Sequence, residues 1–560
     1  VTLGNTTPVS VAYAPGPPPT LNLRIHGAYL TQGIQEMPHS AELLAGRDAY
    51  LRVFVVANQA NTTTPRVRVK LWHGNTEVWG SFISANTGSV TQSVNEGDYA
   101  SSWNIRVPGN LIQPGLRFWA DVDPDGTVPE ANEGDNQFPA PGQVFAVTVR
   151  ALPRFEITLV PVFQTATALT GNVTISNVES YLRDLRRMLP VENTSLSWEV
   201  LSVYTNTRPA LSGTDISTWS AVLSDIDALR QLNGSSRYYY GVVKVNYGSG
   251  LAGLARQPGQ PPTARAAMGW DYGNSRANVL AHEIGHNFGR PHAPCGSAQG
   301  VDPGYPYSGG SIGAWGMETE ALALFGGNLF LTKLHDPYYY RDVMGYCPSY
   351  PWVSVYNWNL MMAWRAASPG GSPPMAITAT GPDDGLLVWG QISNRGLILE
   401  PAFRTRPTGE PLPRTGSWRI EGRDAAGALL FTQPFEPDEL ADLPGPPEYQ
   451  FSMVLPLGDA TLDRLAALRV VGPGRSAERV AAGGPPGGPT IPAARPVSGA
   501  VRRLTWDVRQ YPGALVRDAA TGQVLSIARG GDALLVTGAG ELDVQFSDGI
   551  QIARRRVTVR

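Results

Sequence analysis

His282, His286 and His292 crowd into a short stretch of a chain with only seven histidines in its 560 residues. The stretch runs from Ala277 to Gly296 and reads ANVLAHEIGHNFGRPHAPCG. Two imidazoles four residues apart on a helix share one face and can bind one metal ion. Gly289 stands where that helix should end, because glycine enters a left-handed backbone without a Cβ penalty. The chain can then turn sharply and return His292 to the same ion. Three neutral imidazoles around a tetrahedral ion leave one position open for water. Zinc suits nitrogen ligands with no redox demand. Glu283 projects beside the ion without ligating it. There it takes a proton from the water and later passes it to a leaving amine. Asn274 or Ser275 is placed to cap the helix near Arg276. Two plainer readings compete: a core helix with surface histidines, and an intact ligand set without turnover.

The pattern His-Glu-x-x-His-x-x-Gly-x-x-His resembles the metzincin zinc endopeptidases, in particular their reprolysin-like bacterial branch. The resemblance spans Pro153 to Ala367. It implies a tight turn holding a methionine beneath the metal, and RDVMGYC supplies Met344 as that apolar floor. It implies a role for Tyr346, two residues on, as a phenol donor to the oxyanion of the tetrahedral intermediate. It places Cys295 and Cys347, the only cysteines, on either side of the site, and so implies a disulfide between them. Closing such a loop contributes about 4 kcal/mol on the chain-entropy model. The bond would point to an oxidising compartment. Extra ligands or free thiols are the alternatives for this pair. In the family an edge strand pairs with extended substrate; here that is Ala266, Ala267, Met268, Gly269 and Trp270, near ARAAMGW. Some relatives of the branch cleave mucin-type glycoproteins, so a protein or glycoprotein substrate is expected.

Elements must position these groups. RFEITLVPVF, LSWEVLSVY and RYYYGVVKVNY read as strands. SNVESYLRDLRRMLP and DISTWSAVLSDIDALRQLNG read as helices between them. Ser176 and Glu179 form a capping-box pattern at the first, and Asn233-Gly234 stops the second. This βαβαβ run makes residues 153–368 an α/β unit. SVYNWNLMMAWRA supplies a last helix. The remainder favours short strands, with 62 glycines and 48 prolines. The expected architecture is multidomain: an α/β metzincin catalytic domain flanked by all-β, sandwich-like domains. A proline-rich lead-in covers 1–20 and a β-sandwich 21–152. After the catalytic unit, a β-rich domain covers 369–490 and a smaller one 491–560. WADVDPDGTVPEANEGDNQ, near the end of the first sandwich, resembles bacterial adhesion-type modules. Glycan or cell-surface binding by the accessory domains follows as an expectation.

Other features bound the function. Net charge is −3, so no basic field draws nucleic acid. No apolar run is long enough to span a membrane. The opening VTLGNTTPVS has no basic or apolar leader segment, so the chain is either cytosolic or mature after removal of a leader; the disulfide implied above makes a secreted, extracellular bacterial protein the expectation. Asp121, Asp123 and Asp125 begin like a calcium loop, but Asn132 stands where an EF-hand needs glutamate, so a solvated turn is the simpler reading. His335 has no place in the ligand pattern and reads as a packing or surface residue. The aromatic insert Tyr305 to Glu320 either lines the cleft or packs as a loop. The alternative of another class is an adhesion protein built on a peptidase scaffold, against which the intact Glu283 argues.

Overall fold

The computed structural model describes residues 20–193, 196–258, 264–273, 275–319, 334–347, 350–367, 385–407, 411–443, 445–483 and 494–559. The proline-rich lead-in, most of both glycine- and proline-rich breaks, Asn274 and Glu320 lie outside these residues. The chain is multidomain and mostly β, with several sheets.

In the N-terminal part, one antiparallel sheet is built from Leu23–Thr31, Ala49–Ala57 and Trp103–Val107. A second contains Val67–His73, Thr76–Ile83 and Leu116–Val122. Alternation explains the pairing. Val67, Val69 and Leu71 are buried while Arg68 and Lys70 between them are not. The inward residues of both sheets share one apolar cluster. The loop after the first strand leaves this unit and joins the next core through Ile34, Ala41 and Leu44. Arg47, fully buried, donates to the Leu189 and Val191 carbonyls at 2.8 Å each, fixing the two parts together.

The next part is a mixed sheet. Strands β1 (Glu156–Gln164), β2 (Ser197–Val200), β3 (Tyr238–Val243), β4 (Gly253–Gln257) and β5 (Ala266–Trp270) lie in the order 2-1-3-5-4. All pairs are parallel except β4 with β5. Helix α1 (Glu179–Met188) packs against α3 (Arg276–Asn287), which lies on β4 and β5. Helix α2 (Ile216–Leu232) covers the other face, through Val222, Leu223 and Ile226. Helix α4 (Val355–Ala367) closes the chain of this part. Asp215 caps α2 by accepting from Ser217 N at 3.0 Å, and Gly234 ends it at φ +63°. The capping box expected at α1 does not form. The helix starts only at Glu179, after a separate turn in which Ser176 Oγ pairs with Thr174 Oγ1 at 2.9 Å.

Helix α2 is buried on both sides because later strands cover its outer face. Leu387, Trp389, Val454 and Leu515 join its core. Two buried ionic groups lie along it. Asp225 and Glu400 are bridged by Arg208 and Arg529. Asp227 meets Arg230 at 2.9 Å and also Arg256 of β4. Strand Gly385–Ser393 pairs with Tyr449–Pro456, and the sheet continues through β6 (Asp438–Leu440) onto β4. The last strands, Gly513–Asp518, Val524–Arg529, Glu541–Ser547 and Ile552–Thr558, form an antiparallel set over their own cluster.

Candidate metal centre

Helix α3 begins at Arg276 and ends at Asn287, one residue after His286. Ser275 precedes it but its side chain does not cap; its Oγ accepts from Trp270 Nε1 at 2.9 Å. Gly289 terminates the helix at φ +72°. A Cβ there would also strike the Trp364 ring at 2.6 Å. Glycine is thus required twice over, by backbone and by space. The following turn returns His292, whose N–H donates to Gly300 O at 3.3 Å.

The three imidazoles converge. His282 Nε2 and His286 Nε2 are 3.1 Å apart, and the rings of His286 and His292 have centroids 4.7 Å apart. Each Nδ1 is committed elsewhere. That of His282 faces Val343 O at 2.7 Å, that of His286 faces Arg290 O at 2.6 Å, and that of His292 contacts Gln299 O. A carbonyl only accepts, so Nδ1 carries a hydrogen in all three rings, and Nε2 is the atom each ring turns inward. Two lone pairs facing each other at 3.1 Å repel unless a cation lies between them. This donor set fits zinc.

The floor is built from the turn at 342–345, where Gly345 N donates to Asp342 O at 2.9 Å. Met344 is fully buried beneath α3. It fits because residue 285 is glycine: a Cβ there would lie 2.3 Å from Met344 Sδ. Ala293 N donates to Met344 O at 2.9 Å, and Tyr346 N to Cys295 O at 2.9 Å, so the floor and the third-histidine loop are zipped together. Cys295 and Cys347 form a disulfide across the same junction. Tyr346 is 40% exposed and its ring lies 4.6 Å from that of His292.

Glu283 is buried beside the histidines, with its carboxylate against Gly253 of β4. Sequence reasoning missed its neighbour. Asp442, from the loop after β6, enters the centre of the triad. Its Oδ1 lies 2.9 Å from His292 Nε2 and 3.3 Å from His282 Nε2, and its Oδ2 lies 3.4 Å from His286 Nε2. The Tyr346 hydroxyl donates to the same carboxylate. Among the described residues, His282, His286, His292 and Asp442 are the group able to hold a metal ion. Burial, and next the Asp442 charge, push the Glu283 carboxyl well above the usual carboxylate range. Burial also pushes Asp442 upward, but His286 and His282 outweigh it and hold its carboxyl well below that range. Burial lowers His286 to about 4. Burial and Asp442 push the Tyr346 hydroxyl upward, keeping it a donor.

The expected substrate edge needs correction. Ala266–Trp270 is interior, paired with β3 on one side and β4 on the other. Gly253–Gln257, which precedes it in the chain, lies antiparallel on its far side from β3. The sequence signal was the Pro-Gly-rich stretch after Gln257, which falls between the two strands. His335 packs between Tyr340 and Trp352, with ring centroids 4.2 and 4.1 Å away. Within the aromatic insert, Trp315–Met317 pairs with Ile34–Gln35 and Leu334–His335. Asp121 pairs with Arg68 at 2.6 Å and Asp125 with Arg66. Asp123 accepts from Thr127 Oγ1 at 2.7 Å and Val128 N at 2.8 Å, so it closes a turn.

Residues 163–319 match a reprolysin-type family model, Metallo-peptidase family M12. The matched stretch contains the three histidines and Glu283. This likeness supports a zinc-dependent peptidase. No curated protein matches the chain. Among solved structures, a CARDB domain from Pyrococcus furiosus with di-metal ions is similar at 20% identity, over 23% of this chain and 93% of its own, with a TM-score of 0.15. A Paenibacillus cycloisomaltooligosaccharide glucanotransferase is similar at 11% identity over 47% of this chain and 36% of its own, TM-score 0.16. A Bacteroides vulgatus β-glycosidase follows at 8% identity over 96% and 80%, TM-score 0.15. At such values the likeness assigns no activity. No helix among the described residues is long and apolar enough to cross a membrane.

Proposed function

We propose that the chain is a secreted zinc endopeptidase of metzincin architecture. The observation that carries this reading is the inward convergence of three Nε2 atoms, each ring fixed by a carbonyl on Nδ1, beside a buried glutamate. His282, His286 and His292 hold the ion. Zinc, when bound, supplies the Lewis acidity that makes water nucleophilic near neutral pH. Glu283 takes and returns the proton at its carboxylate. Once the Asp442 charge is withdrawn, the carboxyl loses a main cause of its raised proton affinity and can act as base. The Tyr346 hydroxyl donates to the developing oxyanion. Met344 supports the triad from below. Once β6 is withdrawn, the outer edge of β4 offers backbone groups to an extended substrate. The disulfide supports an oxidising compartment.

The parts at 21–152, 369–490 and 491–560 serve as accessory domains in this reading, the surfaces through which a glycoprotein substrate would be held. The test offers casein, a mucin-type glycoprotein and the same glycoprotein stripped of O-glycans to the zinc-loaded chain carrying Asp442→Ala. Cutting of all three defines a general endopeptidase. Cutting of the glycosylated form alone defines a mucin-type specificity. Cutting that persists after zinc is removed contradicts the reading.

A further inference from the structure

The outer edge of β4 is not open. Strand β6 runs antiparallel along it, with Leu440 opposite Arg256 and Glu439 opposite Gln257. Pairing continues past the strand, since Ala441 N donates to Ala255 O at 3.0 Å. The next residue is Asp442, whose carboxylate stands among the three Nε2 atoms. An extended segment therefore lies where a substrate backbone would pair, and its end delivers an oxygen to the place of a fourth metal ligand.

The segment is held at both ends. Asp438 accepts from Arg256 Nη2 at 2.7 Å, and Arg256 in turn contacts Asp227 of α2. Gln450, in the strand that follows, donates to Ser220 O of α2 at 2.7 Å. At the other end Asp442 turns into the left-handed region at φ 60°, a conformation that aspartate tolerates better than most residues. Leu440 and Leu443, flanking the loop, are buried in the core shared with α2. Beyond them Gly445, Pro446 and Pro447 are exposed.

We infer that residues 438–442 are a built-in inhibitor: Asp442 takes the fourth position on the metal ion while β6 covers the edge strand, so the folded chain is latent until this segment withdraws. The inference rests on the zinc-peptidase reading above. It also fixes the direction of a substrate, because a peptide replacing β6 would pair antiparallel to β4.

The test uses the zinc-loaded full chain and acetohydroxamate, a small bidentate zinc-binding probe, titrated by calorimetry. Asp442→Ala is expected to bind the probe at least tenfold more tightly than wild type, with Asp442→Asn between them. A second readout needs no variant. Saturating the wild type with the probe is expected to speed amide exchange at residues 438–442, Ala441 above all. Equal probe affinity in wild type and Asp442→Ala, each holding one zinc, overturns the inference and leaves the peptidase reading standing. Unchanged exchange at 438–442 in the probe-saturated chain overturns it as well. Zinc content that is nil in wild type, as in His286→Ala, overturns the peptidase reading itself and the inference with it.

Discussion

Asp442 and His292 meet at 2.9 Å although 150 residues separate them in the chain. One belongs to the loop that follows β6 and the other to the turn that follows α3. Their meeting joins the metal centre to the β-rich part of the molecule. It also makes the chemistry of the site depend on whether that loop is in place.

The triad is expected to bind one zinc ion. Because an ion bound only by the folded state stabilises it in step with the logarithm of its free concentration over Kd, zinc should raise the unfolding midpoint. A free concentration 1,000 times Kd corresponds to about 4 kcal/mol. Single replacements of His282, His286 or His292 by alanine should abolish this rise. Thermal unfolding with and without zinc checks it.

Gly285 is expected to be intolerant of a side chain. Its Cβ would stand 2.3 Å from Met344 Sδ and 3.3 Å from Met361 Cε. Overpacking of this kind costs roughly 1–3 kcal/mol. Gly285→Ala should lower stability by that amount and weaken zinc binding, because the helix carrying two ligands must shift off its floor. Urea denaturation and a zinc titration read the two effects.

Much of the centre was legible in the sequence. The spacing of the histidines and the position of Gly289 involve residues that local geometry brings together, and the pairing of Cys295 with Cys347, 52 residues apart, came from the family resemblance. The order of strands was harder. Gly253–Gln257 is only five residues long and is followed by a proline-rich sequence, so it read as loop and the edge was assigned one strand too far in. Asp442 gave no signal at all. It is a lone acid after a short strand, and only the register of β6 on β4 brings it to the histidines. The capping box at Ser176 failed because its hydroxyl pairs with Thr174 Oγ1 and the helix starts later, after Val178.

Acid should weaken the junction between α2 and the later strands. Burial raises the Glu400 carboxyl, but Arg529 and Arg208 outweigh it and hold the group at about 2, below its ordinary 4.5. A depressed pKa contributes stability that is present above 4.5 and lost as pH falls from 4.5 towards 2. Glu400→Gln should remove that part of the pH dependence. At neutral pH it should cost about 3 kcal/mol, because it leaves two half-buried arginines with Asp225 alone as their partner. Denaturation curves of both proteins across this range provide the check.

Tyr346 should matter to turnover more than to binding. In a chain carrying Asp442→Ala, the further change Tyr346→Phe removes a donor to the oxyanion. It should lower kcat by about 10²–10³-fold and leave KM within a few-fold. A change confined to KM would instead place the hydroxyl in ground-state binding.

Glu283 offers the most direct test of the whole account. Peptide cleavage would be measured in a chain with Asp442→Ala and in the same chain with Glu283→Gln added, with zinc quantified in both samples. Equal zinc in the two, with cleavage present in the first and lost in the second, is the predicted result. Equal cleavage in both, or no cleavage in a fully zinc-loaded Asp442→Ala chain, would contradict it.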